Sequence, residues 1–173
     1  GYYKIIEQII LPIRTYLQVF FRFFYPKLSY KMHHNLIEGR SFWKVISLAN
    51  AILISVLLVI IFFSSTYILS YFNIHLQELN VLSILLKWFL LYPVFFFFSF
   101  VLELLYLSVG EKKFYINSTI ISVLFSLFCM IILIQLIDIY GILLALILSE
   151  IVLIVLYLVK LRNTFIKSIK NEN

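Results

Sequence analysis

The sequence is short of almost everything a soluble domain uses to punctuate and solvate itself. Of 173 residues only 13% are charged, with four glycines, three prolines and one cysteine. About a quarter of an ordinary soluble domain is charged. The lone Cys129 excludes an internal disulfide and a cysteine metal cluster, and its place in an apolar run reads as packing. So few Gly and Pro exclude a turn-rich β fold. A membrane barrel would alternate apolar and polar residues along each strand, and no such alternation occurs. No Gly-rich phosphate loop, nucleophile–base constellation or metal-ligand spacing is present. The adjacent His33 and His34 make a poor metal pair. The expectation is therefore a protein that is not an enzyme, with no catalytic residues, no metal and no cofactor.

What remains is apolar: 64% of the residues are hydrophobic and the mean hydropathy is +1.07. A soluble fold of this size could not hide so many Leu, Ile, Val and Phe side chains. A bilayer removes the difficulty, because a spanning helix needs about 20 mostly apolar residues. Residues 45–72, 79–107, 114–137 and 141–161 each supply such a stretch. Residues 2–25 form a fifth, more polar segment, and Pro26 reads as its stop. The expected fold is an all-α, multi-span transmembrane bundle of about five helices, with residues 162–173 as a tail.

The net charge of +6 does not point to nucleic acid, because the cations are sorted between the apolar runs. Lys27, Lys31, Arg40 and Lys44 sit between the first two segments, and Lys112 and Lys113 between the third and fourth. Lys160, Arg162, Lys167 and Lys170 follow the last. The alternate loops, residues 73–78 and 138–140, carry no Lys or Arg. By the positive-inside rule the basic loops and the C-terminus are cytoplasmic, in the cell membrane, and five spans then place Gly1 outside. The chain opens on Gly rather than Met, and its charged start carries no signal peptide. It reads as the C-terminal piece of a longer protein, and seven upstream spans with an inside start would satisfy the count. The Asn117-Ser118-Thr119 sequon falls at a cytoplasmic helix end and reads as chance.

The more polar first segment is the informative one. At ~100° per residue, Lys4, Glu7, Gln8, Arg14, Thr15, Gln18 and Arg22 fall within an arc of roughly 120°. Ile5, Ile6, Ile9, Ile10, Ile13, Phe20, Phe21 and Phe24 occupy the other side. A charge at bilayer depth costs several kcal/mol unless it meets a partner or a wet cavity. The stripe therefore reads as the lining of a cavity or substrate path, with Arg14 placed to hold a phosphate or acidic sugar through paired N–H donors. The competing reading is an amphipathic helix lying flat on the membrane.

Lys87 and Glu150 are the other deep charges, each about 12–14 Å from the outer end of its helix by the ~1.5 Å rise. They read as a buried pair, as a coupling carboxylate with its cation, or as a Lys87 that snorkels outward. Glu103 lies near the cytoplasmic end, where water reaches it. Pro93 reads as a kink. Glu7, Arg14, Gln18, Arg22, Lys87 and Glu150 are thus the candidate substrate-binding residues.

Four stretches, in order, resemble one family. Tyr2-Tyr3-Lys4-Ile5-Ile6-Glu7-Gln8-Ile9 is similar to the start of a cavity helix. Tyr25-Pro26-Lys27-Leu28-Ser29 is similar to the signature at that helix's cytoplasmic exit. Leu105–Phe114, with Leu107-Ser108-Val109-Gly110-Glu111-Lys112-Lys113, is similar to a basic loop before the next span. Asp138-Ile139-Tyr140-Gly141-Ile142, running to Ser149-Glu150, is similar to a Gly-containing helix that ends in Ser-Glu, although Leu144 stands where a second small residue is usual. Together they resemble the C-terminal half of the polysaccharide flippases of the MATE-like exporter superfamily. The resemblance implies two helical bundles around a central cavity, one of them supplied by a missing N-terminal half, from the same parent chain or a partner. It implies as cargo an oligosaccharide on an isoprenoid diphosphate, with membrane lipids around it. Arg14, Gln18 and Arg22 would then meet phosphate or sugar. The alternatives are a cation-coupled drug or metabolite antiporter of the same fold, and a membrane enzyme of polysaccharide assembly.

Overall fold

A computed structural model describes the backbone of residues 2–72 and 76–171, and the side chains of residues 4–72 and 78–162. Residues 73–75 of the expected outer loop lie outside those described, as do the side chains of Lys167 and Lys170 in the tail. The described chain is all α-helix, without a strand. Three of its helical stretches are long and apolar enough to cross a membrane: Leu36–Ser70, Glu78–Ser108 and Lys112–Arg162. Large hydrophobic side chains such as Phe63, Leu124, Phe128 and Ile131 stand exposed, as a helix facing lipid requires and a helix facing water does not tolerate in such numbers.

The chain divides into two units, residues 1–97 and 98–173. In the first, helix α1 (Tyr2–His34) packs on α2 (Leu36–Ser70), and both touch α3 (Leu76–Phe89). Pro26 does not stop α1, which runs on to His34. An interior proline costs about 3 kcal/mol through its lost hydrogen bond and its ring clash. Two features offset that cost. The Pro26 ring faces outward, and the helix beyond it buries Leu28 and Met32. The turn that follows is tight. Asn35 caps α2 by accepting from the N–H groups of Ile37 (3.1 Å) and Glu38 (3.3 Å), satisfying donors that a helix start leaves orphaned. Gly39 then lies so close to Met32 that a Cβ would fall 2.8 Å from its Cα. Lys31 and Glu38 pair across the same turn.

Only Leu90 separates α3 from α4 (Leu91–Ser108), and its N–H still donates to the Leu86 carbonyl at 3.0 Å. Pro93 explains the interruption, since it has no N–H to offer Phe89 and its ring crowds that carbonyl. The boundary between the units falls within α4.

The second unit is built on α5 (Lys112–Asn171), whose 60 residues are interrupted by non-helical backbone at Ile137 and Asp138. Asp138 has φ +48° and ψ −128°, a conformation at home in the first corner of a tight reverse turn and normally filled by glycine. The result is a hairpin, because residues far apart in sequence meet across it. The Ser122 hydroxyl donates to the Ser149 carbonyl at 2.9 Å, and the ring centroids of Phe114 and Tyr157 lie 5.9 Å apart. In one straight helix Ser122 and Ser149 would be ~40 Å apart at ~1.5 Å per residue.

Small residues make that close approach possible. On the second arm Gly141, Ala145 and Ser149 recur every four residues and are all buried. On the first arm Ser118 and Ser122 are buried with the same spacing. Helices in lipid gain nothing by hiding apolar surface from one another. They associate through backbone proximity and interhelical hydrogen bonds, which small residues permit. Gly141 lies against the Leu133 carbonyl, where any Cβ would collide with backbone. Leu144 does not interrupt this seam, since it lies off it and is exposed.

Candidate functional site

In the first unit, α1 buries one side and leaves the other uncovered. Ile6, Ile10, Ile13 and Leu17 are buried, while Lys4, Glu7, Gln8, Thr15, Gln18 and Arg22 are exposed. At ~100° per residue the buried side centres near ~250° and the polar stripe near ~20°, well over a quarter-turn apart. Among the described residues, none of the same unit covers the stripe. Thr15 closes its hydroxyl on the Leu11 carbonyl at 3.0 Å, a local bond that leaves the stripe's charged heads free to meet something else.

Arg14 sits at the margin between the two sides and is half-buried. Its guanidinium carbon stands 5.7 Å from the centroid of the Tyr92 ring and 5.3 Å from that of Phe96. Both rings come from the start of α4. Such contacts contribute about 0.5–2 kcal/mol, most when water is excluded. They use the face of the guanidinium and leave its N–H edge available. The Nε atom is sealed from solvent and makes no hydrogen bond, and a buried donor without an acceptor costs about 1–3 kcal/mol. Arg14 is thus a cation held by aromatic faces with donor capacity unspent.

Lys87, on α3, is half-buried, with its ammonium 5.1 Å from the Phe62 ring of α2. Glu150 lies in the second unit, is 8% exposed, and accepts a hydrogen bond from the Ser99 hydroxyl. Lys87 and Glu150 therefore each find a contact inside their own unit. Of the six candidates, the structure gathers Glu7, Arg14, Gln18 and Arg22 along one helix.

The second unit holds a feature that spacing along one segment does not reveal. Helix α4 presents Ser99, Glu103 and Tyr106 at steps of four and three, one face of a helix. The first arm of α5 presents Tyr115, Thr119 and Ser122 at the same steps. The second arm presents Glu150 and Tyr157, two turns apart. These three faces meet. Ser99 donates to Glu150, the Tyr106 hydroxyl donates to the Tyr157 carbonyl at 2.6 Å, Ser122 donates to the Ser149 carbonyl, and the Tyr115 hydroxyl bonds the Glu103 carboxyl. Glu103 also lies within Coulombic reach of Glu150. Position alone assigns Glu103 to the watery end of its helix. The structure instead half-buries it against Tyr115. The missed signal was the repeat of polar residues on α4, visible only once the hairpin's own polar face was paired with it.

At the end of this seam Lys160 pairs with Glu111 at 3.7 Å and stands 5.3 Å from the Phe114 ring centroid. Among the described residues, no group of three or more His, Cys, Asp or Glu side chains is placed to hold a metal ion. Comparison of the chain with protein-family models, with curated proteins and with solved structures finds no match.

Proposed function

We propose that the chain is part of a membrane transporter that moves an anionic, lipid-linked cargo, an oligosaccharide on an isoprenoid diphosphate, across the cytoplasmic membrane for surface polysaccharide assembly. The observation that carries this reading is the uncovered polar stripe of α1, with Arg14 at its edge held by Tyr92 and Phe96 and its Nε without a partner. The packing of α1 along α2 supports a helix that runs with the spans rather than flat beneath them. A charged stripe on such a helix is tolerable only beside water or a polar cargo. Arg14, Gln18 and Arg22 then offer donors in series to phosphate and sugar oxygens, with guanidinium edges suited to bidentate phosphate contacts. Glu7 lies on the same stripe toward the helix start. Lys87 and Glu150 act at greater remove, as charges set within the helices.

On this reading the basic α1–α2 turn and the C-terminus lie in the cytoplasm, and a second helical bundle faces the stripe to close the path. The resemblance of the four sequence stretches to polysaccharide flippases agrees with the cargo's chemistry. The experiment is to substitute Arg14→Ala and Arg22→Ala in the chromosomal gene and measure surface glycan and cytoplasmic-leaflet lipid-linked intermediate together. A charge-assisted contact contributes about 1.5–3 kcal/mol, so each change should lower export by about tenfold or more while protein in the membrane stays near the unaltered amount. Full export by the double variant at normal protein level would refute the proposed grip.

A further inference from the structure

The stripe on α1 leaves unexplained why the second unit places two carboxyl groups inside a seam of hydroxyls. Glu103 and Glu150 come from different helices and lie within Coulombic reach of each other. Each has a hydroxyl on it: Tyr115 on Glu103 and Ser99 on Glu150. Ser99 precedes Glu103 by one helical turn on the same face, so the two carboxyl groups are neighbours along one line. Two like charges at this depth oppose each other, and each also loses hydration. Keeping both ionised is the costliest arrangement open to the pair, and a proton on either relieves it.

A second observation is independent of the carboxyl groups. Tyr157 has no exposed surface, and its hydroxyl makes no hydrogen bond of acceptable geometry. It lies beside Thr119 and within Coulombic reach of both Glu103 and Glu150. A buried phenol whose only hydroxyl neighbour, Thr119, makes an imperfect bond with it forfeits part of the about 1–3 kcal/mol that a buried hydroxyl loses when left unpaired. A neighbouring carboxyl that turns as it gains or loses a proton supplies a better acceptor. The Thr119 hydroxyl donates to the Tyr115 carbonyl at 2.9 Å, so Tyr115, Thr119 and Tyr157 follow one another along the seam. The other polar groups packed here are Ser122, whose hydroxyl donates to the Ser149 carbonyl, Tyr106, whose hydroxyl is spent on the Tyr157 carbonyl, and the Lys160–Glu111 pair at the seam's end.

We propose that Glu103 and Glu150 form a proton-binding site within the membrane: the pair holds at least one proton at neutral pH and exchanges it through the hydroxyls of Tyr115, Thr119 and Tyr157. The site requires no particular cargo and stands whether or not the chain carries lipid-linked glycan.

A hydrophobic carbodiimide, which reacts with protonated carboxyl groups in apolar surroundings, tests this directly on the membrane-embedded protein, with adducts located by mass spectrometry. At about pH 8 an ordinary glutamate, with a pKa of about 4.3, is protonated only to the order of 10⁻⁴. The exposed Glu7 and Glu38 serve as internal references. Labelling of Glu103 or Glu150 should exceed theirs by about tenfold or more, a margin that corresponds to one pKa unit. Glu103→Gln should lower labelling of Glu150, because removing the like charge lets the remaining carboxyl ionise. No labelling above the references would overturn the proposal, as would Glu150 labelling that ignores Glu103→Gln. Protection by sodium chloride but not by choline chloride would also overturn it, by making an alkali cation the occupant.

Discussion

Both units turn large hydrophobic side chains outward, but they place their charge differently. The first wears its charge on the surface of α1 and buries mainly Ile and Leu, such as Ile6, Leu17, Leu82 and Leu86. The second turns Ile120, Leu124, Leu127 and Phe128 outward and buries Ser118, Ser122, Ser149 and Glu150. Lipid explains the second pattern. Where the outside is hydrocarbon, hydroxyls and carboxyls are driven in, and small residues bring backbones together. The first pattern makes sense only if part of its surface meets water or a polar cargo. The contrast sets an outward polar stripe against an inward polar seam, and five substitutions test where that division fails.

The largest effect belongs to Gly141. Its Cβ position is filled by the Leu133 backbone, which cannot swing aside as a side-chain tip would. Gly141→Ala should cost about 2–4 kcal/mol, read as a lower midpoint of unfolding in detergent. A midpoint within a degree of the native one would mean that the hairpin arms do not approach as described.

Next comes Ser99→Ala, which strips the hydroxyl from the buried Glu150. Loss of a partner to a buried polar group costs about 1–3 kcal/mol. The same change at Thr15, whose hydroxyl only closes on its own helix and is exposed, should shift the unfolding midpoint much less. Equal shifts would erase the distinction between buried and outward polar groups.

Arg14→Lys sharpens the comparison from the other side. A lysine keeps the charge but not the planar fork that lies on Tyr92 and Phe96. Stability should change by less than about 1 kcal/mol, whereas glycan export should fall clearly. A variant that is destabilised yet exports normally would make Arg14 a structural residue.

The smallest effect is a gain. Asp138 holds a positive φ of 48°, which glycine adopts without a steric penalty. Asp138→Gly should raise stability by a few tenths to about 1 kcal/mol, seen as a higher unfolding midpoint. A loss would show that the aspartate side chain secures the turn.

Much of this architecture is legible along the chain, because apolar runs near bilayer length and a polar arc on one helix are local patterns. The arc on residues 4–22 is a matter of angle alone, and angle follows from the helical repeat. The fate of α1 past Pro26 is not legible in the same way. It depends on whether the turn beyond can bury Leu28 and Met32, and that depends on Gly39 in the next helix. The seam of Ser99, Glu103, Tyr115, Thr119, Glu150 and Tyr157 was less visible still. Each residue looks ordinary in its own segment, and the pattern exists only where three helices meet. The spacing of Gly141, Ala145 and Ser149 was available in the sequence. It is a repeat of four, one step out of phase with the position now filled by Leu144.

If the α1 stripe crosses the membrane beside water, single cysteines placed along it are open to solvent while those on the buried side are not. With Cys129 replaced by serine, cysteine is placed in turn at Glu7, Thr15, Gln18 and Arg22, and at the buried Ile6 and Leu17. A membrane-impermeant thiol reagent is then applied to one face of the membrane or the other. Reaction is expected at the stripe positions and none at Ile6 or Leu17, with the Glu7 position reached from the outer face and the Arg22 position from the inner. Reaction of every stripe position from one face alone would contradict it, and would lay α1 flat on the membrane surface.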